Sequence, residues 1–259
     1  MKILAFGDVV GRPGREAVTK IVPQLIREHD LSFVVGNGEN IAAGSGLTPD
    51  TLEELFKAGV DCVTTGDHVF RRKEIIPVLE TEPRLVRPAN FPKAAAGKGV
   101  TLLTGRHGER VGVINLLGRV FMGPADDPFA AVQDALLKLT GDAEVILVDL
   151  HGEATSEKVA MGWFLDGRVT AVLGTHTHVQ TADEQVLPKG TAFITDLGMT
   201  GPYRSVLGRE IDKVLRALTT GMPTHFDVAT EDVKLCGAII TADPKTGRAS
   251  AIERIAIKA

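Results

Sequence analysis

The chain has few cysteines, no long apolar run and no excess of positive charge, and each of these absences narrows its functions. The two cysteines, Cys62 and Cys236, lie in apolar runs, where a buried thiol is the ordinary interpretation and nothing nearby indicates a nucleophile. No apolar stretch approaches the ~18 residues that a membrane-spanning helix needs. The apolar run 3–6 before Gly7 is too short for the core of a signal peptide. A cytoplasmic protein is therefore expected.

The charge balance argues against a long nucleic-acid partner. The formal net charge is -4, and no basic run or stripe of alternating basic and aromatic residues is present. Tight binding to duplexes is thus not expected. The Rossmann fingerprint G-x-G-x-x-G is absent as well. The shorter segment 11–15, Gly-Arg-Pro-Gly-Arg, fits a tight turn before a helix, or a helix N-terminus at which Arg12 or a main-chain amide contacts phosphate.

Strand and helix patterns alternate along the first two thirds of the chain. Apolar runs occur at 2–7, 32–36, 60–65, 144–149 and 169–173, and helical patterns occur at 13–29, from 48, at 127–139 and at 155–166. This alternation predicts a largely parallel sheet. Strand-like runs near 234–241 and 249–257 predict antiparallel pairing and a second sheet. We therefore expect an α/β fold in one domain, 1–259, with the Pro-, Arg- and Lys-rich segment 71–99 as a candidate lid.

Two imidazoles stand two residues apart in the segment 174–178, Gly-Thr-His-Thr-His, directly after an apolar run. Residues i and i+2 of an extended segment point to the same side, so His176 and His178 can converge on one point. Imidazole is the commonest side-chain metal ligand. Alone, this spacing fits a solvated turn as well as it fits a metal site.

Four further polar motifs each follow an apolar run, and this repetition favours the metal site. They are Gly7-Asp8, Gly38-Glu39-Asn40, Gly66-Asp67-His68 and Asp149-Leu150-His151. The carboxyl ends of neighbouring strands in an α/β protein open into one crevice. One Gly-Asp pair predicts only a turn or a cap. Five strand ends with such side chains together predict a polynuclear metal site.

The donor set suits two transition-metal ions. Carboxylate and imidazole donors without thiolate favour Fe, Mn, Zn or Co over Ca or Mg. The candidate ligands are Asp8, Glu39, Asn40, Asp67, His151, His176 and His178. A pair of such ions generates hydroxide and stabilises both oxygens of an in-line phosphoryl displacement. His68 directly follows a candidate ligand, where it can act as the general acid; a further ligand or a hydrogen-bonding neighbour is the alternative.

The order of these motifs resembles the calcineurin-like metallophosphoesterases, in which Asp-x-His, Gly-Asp, Gly-Asn-His, a lone His and Gly-His-x-His follow one another. Apart from Asp67, three positions depart from that pattern. Val10 stands in place of the first histidine, Glu39 in place of the bridging aspartate, and Thr175 is inserted after Gly174. The resemblance implies a calcineurin-like fold, which is a two-sheet β-sandwich flanked by helices.

The same departures are typical of one branch, the YmdB-like phosphodiesterases, which the chain resembles over almost its whole length. The matching segments are 7–15, 37–40, 149–153, 174–183 and 195–202. The resemblance implies a dinuclear site with iron as the first choice of metal. It also implies hydrolysis of small cyclic nucleotides by an activated hydroxide, with 2′,3′-cyclic nucleotides first and 3′,5′-cyclic ones as a further class.

Carried over residue by residue, the resemblance implies two sets of ligands. One metal would be held by Asp8, Glu39 and His178, with Asn40 close by, and the other by Asp67, His151, His176 and the bridging Glu39. The family usually has Asn at the position of Asp67. An ionised Asp67 would hold the second metal more firmly and reduce its Lewis acidity. A protonated Asp67 would imitate the amide.

The expected partner is a small cyclic nucleotide, without a membrane. RNA is compatible with the chain but is not indicated by its charge. Two alternatives stay open: a metal-dependent ribonuclease, and a regulatory protein that binds a nucleotide with weak activity. We also expect a homo-oligomer.

Overall fold

The computed structural model describes residues 1–259, which form thirteen strands and six α-helices. The strands are β1 (Lys2–Phe6), β2 (Asp8–Val9), β3 (Phe33–Asn37), β4 (Cys62–Thr64), β5 (Val100–Thr104), β6 (Arg110–Leu117), β7 (Val145–His151), β8 (Ala171–Thr175), β9 (Gln185–Val186), β10 (Ala192–Ile194), β11 (Met199–Pro202), β12 (Val233–Asp243) and β13 (Arg248–Lys258). The helices are α1 (Gly11–His29), α2 (Pro49–Lys57), α3 (Ile76–Thr81), α4 (Pro128–Leu139), α5 (Thr155–Leu165) and α6 (Ile211–Thr220), and a 3-10 turn, Lys73–Ile75, precedes α3.

The strands form two sheets. The first sheet has the order β2-β11-β12-β1-β3-β4, with β13 paired to β12, and the second has the order β5-β6-β7-β8-β10-β9. In the first sheet β1, β3 and β4 are parallel, whereas β12 is antiparallel to β1. In the second sheet β6, β7, β8 and β10 are parallel. Strands that follow one another in the sequence are joined by helices and pair in parallel, whereas the C-terminal strands pair antiparallel. This arrangement agrees with the prediction from the sequence.

Alternate residues of each central strand face different layers. In β1, Ile3 and Ala5 belong to a cluster of 19 buried residues that also contains Val113 and Leu147 of the second sheet. Leu4 and Phe6 belong to a cluster of 23 buried residues that includes the inner face of α1. A third cluster packs α4 and α5 on the other face of the second sheet. The core therefore has four layers, α/β/β/α, and the predicted two-sheet sandwich flanked by helices is confirmed.

Local sequence features determine where α1 and α2 begin. The Thr48 side chain accepts a hydrogen bond from the Thr51 amide, and Pro49 occupies the first turn of α2, where a missing amide hydrogen costs little. Helix α1, predicted to start at Pro13, begins two residues earlier at Gly11, which has a φ of +59°. Pro23 lies inside α1 without ending it, because buried Val22 and Leu25 hold the chain against the first sheet on both sides.

Two segments have more regular structure than their sequences predict. The segment 198–203, whose two glycines and proline are typical of a loop, contains β11, which pairs with β2 and β12. Its glycine and proline hide its strand character, and only long-range pairing reveals it. The segment 71–99 contains α3, and its Leu79 and Leu85 lie in the core. A lid role for this segment, and a single domain over 1–259, stay predictions. None of the helices is long and apolar enough to cross a bilayer.

Candidate metal centre

The carboxyl ends of five strands meet at one edge of the sandwich. Asp8, Glu39 and Asp67 follow β1, β3 and β4 of the first sheet, whereas His151 ends β7 and His176 follows β8 of the second. Parallel neighbours bring these ends level, since β1 pairs with β3 and β7 pairs with β8. The seven predicted ligands and His68 therefore surround one crevice at this edge.

Four of these side chains form a tight cluster. One donor atom from each of Glu39, Asp67, His151 and His176 lies within 4.8 Å of the others. The Nε2 atom of His151 is 3.3 Å from Glu39 Oε1 and 3.4 Å from Asp67 Oδ1. This mixture of carboxylates and imidazoles can bind a metal ion.

The other predicted ligands border the same cluster. Asp8 Oδ1 is 3.8 Å from His178 Nε2, and the Asn40 amide donates to Glu39 Oε1 at 3.0 Å. The same amide is 3.4 Å from His178 Nε2. Asp8, Asn40 and His178 thus form a second group of donors. Glu39 belongs to the four-residue cluster and also contacts this second group through Asn40. The geometry brings together all seven predicted ligands.

Two carboxylate oxygens in the crevice have no hydrogen-bond donor. These are Asp8 Oδ1 and Asp67 Oδ1, which are both buried atoms. A buried carboxylate oxygen without a partner is costly and therefore rare. A cation bound to each oxygen would remove that cost. The unsatisfied atoms and the chemistry of the donor set fit a metal centre.

The side chains of the cluster shift one another's pKa values. Burial by itself would raise the pKa of Glu39, yet the nearby His151 and His68 lower it below its ordinary value. Burial also opposes ionisation of Asp67, but the ring of His151, 3.4 Å from Asp67 Oδ1, holds its pKa well below the usual range. Burial lowers the pKa of His176, and the neighbouring His151 lowers it further. The carboxylates are thus ionised, as metal ligands must be.

His68 lies at the open side of the crevice. Its Nδ1 donates to Asn40 Oδ1 at 2.8 Å, and its main-chain amide donates to Glu39 Oε2 at 3.1 Å. The opposite ring nitrogen, Nε2, is 3.5 Å from Asp67 Oδ2. The bond to Asn40 fixes the tautomer and leaves Nε2 free to exchange a proton with a ligand in the crevice.

The segment that carries His176 and His178 has unfavourable backbone geometry. These residues have φ values of +100° and +63°, a region that non-glycine residues seldom occupy. Both main-chain polar groups and side chains hold the segment: the His176 amide donates to Asp8 Oδ2 at 3.0 Å, and the His178 ring contacts the Leu207 carbonyl at 3.1 Å.

A buried ion pair holds the same segment from below. Lys158 of α5 donates to the Thr175 carbonyl at 2.8 Å and to Asp196 Oδ2 at 2.7 Å. Asp196 in turn accepts hydrogen bonds from the amide and the hydroxyl of Thr177. Both charged side chains are 1% exposed. Strain of this kind persists only where the surroundings over-determine it, and the Lys158–Asp196 pair meets that condition.

A second buried network orients His151. Its Nδ1 contacts the Thr175 hydroxyl at 2.9 Å, and that hydroxyl donates to Asp149 Oδ1 at 2.7 Å. The Asn37 amide lies 3.3 Å from both Asp149 Oδ2 and His151 Nδ1. Burial raises the pKa of Asp149 to about 6. Because Nδ1 is occupied by this network, Nε2 is the nitrogen that faces Glu39 and Asp67.

The close packing of side chains around position 66 explains why this residue is a glycine. A Cβ atom at this position would lie 2.2 Å from His151 Cδ2 and 2.4 Å from Glu39 Oε2. No larger residue fits without moving two members of the cluster.

The comparison with known proteins decides the family. The family described as YmdB-like protein matches residues 4–255. The chain is also 47% identical over 257 residues to a 2′,3′-cyclic-nucleotide 2′-phosphodiesterase of Bacillus subtilis (strain 168), an alignment that covers 99% of this chain and 97% of the relative. The chain belongs to the YmdB-like family.

Two solved structures resemble this YmdB-like chain closely. A hypothetical protein from Thermus thermophilus has a TM-score of 0.93 at 41% identity, with 100% of this chain and 99% of the other covered. A structure described as a novel phosphatase of Mycoplasma pneumoniae has a TM-score of 0.93 at 34% identity, with 100% and 93% covered. The calcineurin-like fold expected from the sequence is confirmed by this match.

Sequence reasoning missed the groups that support the ligands. Lys158 looks like an ordinary charge in a helix, and its partner Asp196 lies 38 residues away. Asn37 and Asp149 stand within the recognised motifs, but the sequence assigns their side chains no role. A polar residue inside an otherwise apolar strand is the one signal that indicates them, since buried polar groups need partners.

Proposed function

We propose that this YmdB-like chain hydrolyses 2′,3′-cyclic nucleotides at a two-metal centre, with 3′,5′-cyclic nucleotides as a further class of substrate. Membership of the family makes the chain a hydrolytic phosphoesterase. The Bacillus subtilis relative is named for its action on 2′,3′-cyclic nucleotides. The observation that carries the proposal is the convergence of acid and imidazole donors around two buried, unsatisfied carboxylate oxygens.

The proposal assigns the donors to two ions with Glu39 between them. Asp8, Glu39 and His178 would hold one ion beside Asn40, and Asp67, His151 and His176 would hold the other together with Glu39. Iron is the first choice and Mn, Zn and Co are alternatives, because the donors are imidazoles and carboxylates. When bound, the ions supply Lewis acidity toward the phosphodiester.

The exposure of the donors indicates where the substrate enters. The side chains of Asp8, Glu39 and His151 are at most 1% exposed. Those of Asp67 and His68 are 28% exposed, and that of His176 is 25% exposed. The cyclic phosphate would therefore approach from the side on which Asp67, His68 and His176 reach solvent.

His68 has the geometry of a general acid. Hydrolysis adds water to phosphorus and breaks one bond to a ribose oxygen, so a proton must reach that oxygen as it leaves. The Nε2 atom of His68 faces the crevice, and in the imidazolium form of the ring it can donate this proton, while the hydrogen bond from Nδ1 to Asn40 keeps the ring in place. Such proton transfer typically contributes a factor of ~10²–10⁴ to turnover.

The test combines metal analysis with a substrate panel. Protein purified without chelators should contain close to two transition-metal equivalents per chain and should hydrolyse 2′,3′-cyclic AMP faster than 3′,5′-cyclic AMP. A stoichiometry that stays at or below one after reconstitution would contradict the dinuclear centre. Failure to hydrolyse any cyclic nucleotide, with the metals bound, would contradict the proposed substrate class.

A further inference from the structure

A large open cleft lies on the surface beside helix α1 and has a volume of about 950 Å³. Its walls come from the N-terminal half of α1, the loop 41–46, Arg72 and the segment 225–228. The volume is at the upper end of the range for small-molecule pockets, ~300–1,000 Å³. A cyclic phosphate group alone would fill only a small part of this volume.

The cleft is lined by basic side chains without a salt-bridge partner, whereas its acidic side chains are paired. Arg12, Lys20, Arg72 and Arg209 line it, with Glu16 and Asp227 as the acidic groups. Glu16 is neutralised by Arg12 at 2.7 Å, and Asp227 by Lys213. Lys20 and Arg72 form no salt bridge, and both are exposed.

Arg209 adds a charge with no carboxylate bound to it. Its guanidinium donates to the carbonyl oxygens of Ala43, Gly44 and Phe226. These acceptors fix the side chain in the wall of the cleft but leave its positive charge available. Together with Lys20 and Arg72, Arg209 makes this wall suited to phosphate groups.

The loop 41–46 connects the cleft to the metal centre. It follows directly on Asn40, which contacts both Glu39 and His68. Arg209 packs on the loop at Gly44 and Arg72 packs on it at Gly46. Ala43 lines the cleft, and chain geometry limits its Cα to within about 11 Å of the Asn40 Cα. The cleft therefore begins within about 11 Å of a residue that borders the predicted ligands.

We propose that the cleft binds the nucleotides upstream of the reacting cyclic phosphate, so that the preferred substrate is a short RNA ending in a 2′,3′-cyclic phosphate. This inference rests on the proposed function. The terminal cyclic phosphate occupies the metal centre, and the preceding phosphates run past the loop 41–46 toward Arg72, Arg209 and Lys20. Binding in this orientation places the terminal cyclic phosphate, and not an internal phosphodiester, at the metal centre.

The experiment compares two substrates with the metal-loaded protein. One is 2′,3′-cyclic AMP, and the other is a tri-adenylate with a 2′,3′-cyclic phosphate end. The ratio of kcat/KM for the trinucleotide to kcat/KM for the mononucleotide should exceed about ten. Only the trinucleotide rate should fall steeply with salt, because phosphate contacts release counterions. A tri-adenylate with free hydroxyl ends should inhibit competitively.

Charge variants test the role of the cleft. Lys20→Glu combined with Arg72→Glu should lower the trinucleotide-to-mononucleotide ratio at least tenfold and reduce the salt slope by about two, one for each lost contact. Arg27→Glu is the matched control, since Arg27 is also exposed on α1 but lies outside the cleft, and it should leave the ratio unchanged.

The outcomes separate this proposal from the function on which it rests. Turnover of 2′,3′-cyclic AMP with a ratio near one, and no effect of the double variant, overturns the cleft proposal alone. Binding of the hydroxyl-ended trinucleotide without competition also overturns it, because the cleft would then be a separate site. Absence of turnover on both substrates overturns the proposed function and the cleft proposal with it.

Discussion

The two sheets supply different chemistry to the candidate metal centre. The first sheet contributes the carboxylates Asp8, Glu39 and Asp67, whereas the second contributes the imidazoles His151, His176 and His178. Carboxylates bridge ions and carry negative charge, while neutral imidazoles add donors without adding charge. The interface between the sheets therefore brings two kinds of ligand together that neither sheet holds alone.

The two halves also differ in how they are held. On the carboxylate side, Asp8 Oδ1 and Asp67 Oδ1 have no donor. On the histidine side, a buried ion pair holds the strained segment, and a buried polar network orients His151. The carboxylate half thus has oxygen atoms without donors, which suit a cation, whereas the histidine half is over-determined, which keeps its rings in place. Changes in the two halves should therefore fail in different ways.

Glu39→Ala is expected to have the largest effect. Glu39 lies between the two groups of donors, so its loss should weaken both metal positions and reduce bound metal to one equivalent or less. Turnover of 2′,3′-cyclic AMP should become undetectable. Elemental analysis and a steady-state assay measure this, with exposed Glu28→Ala as the control. Two equivalents retained in Glu39→Ala would show that this carboxylate does not bridge.

His68→Ala should reduce turnover by ~10²-fold or more while leaving the metal content nearly intact. The imidazole is expected to donate a proton and not to bind metal. The defect should shrink on bis-p-nitrophenyl phosphate, whose leaving group needs little protonation. His107→Ala removes an exposed imidazole far from the predicted ligands in sequence and serves as the control. Metal lost together with activity would make His68 a ligand.

Lys158→Met is expected to act on the histidine half alone. It leaves Asp196 buried without its partner, which typically costs ~3–5 kcal/mol of stability. The freed segment 175–178 should bind metal ~10–100-fold more weakly, the usual effect of removing a group that orients ligands. Thermal unfolding and metal titration of the apo-protein measure both effects.

The double variant Lys158→Met with Asp196→Asn separates charge from position. It removes the unpaired charge and should recover much of the lost stability, but it should not recover metal affinity, since the amide cannot hold Thr177 as firmly. Equal recovery of both quantities would mean that the ion pair supports the fold without positioning the histidines.

The sequence predicts the ligands better than it predicts their supports. Asp8, Glu39, Asp67 and His151 each stand at the end of an apolar run, and parallel pairing brings such ends together without further information. Lys158 and Asp196 meet only because α5 packs against β8, and no local pattern encodes that contact. The strand β11 escapes prediction for the same reason, because its partners β2 and β12 are distant in the chain.

Asp67→Asn should have the smallest effect on turnover, and it tests the residue at which the resemblance predicts a departure from the family. Asp67 is surrounded by His68, His151 and His176, and the nearby His151 holds its pKa low against the effect of burial. This favours an ionised carboxylate over a protonated imitation of Asn. The substitution therefore removes one negative charge beside the second metal position.

With that charge removed, the second ion should bind more weakly but act as a stronger Lewis acid. Turnover of 2′,3′-cyclic AMP in excess metal should rise or hold, and the metal concentration for half activation should rise as well. Titration of metal-depleted protein with Mn²⁺ measures both quantities, and Asp30→Asn, at an exposed aspartate, is the control. Tighter metal binding in Asp67→Asn would mean that Asp67 is protonated or is not a ligand. In that case Asp67 would not supply the negative charge that is expected to attract ions to the carboxylate half. The two halves would then differ in geometry alone.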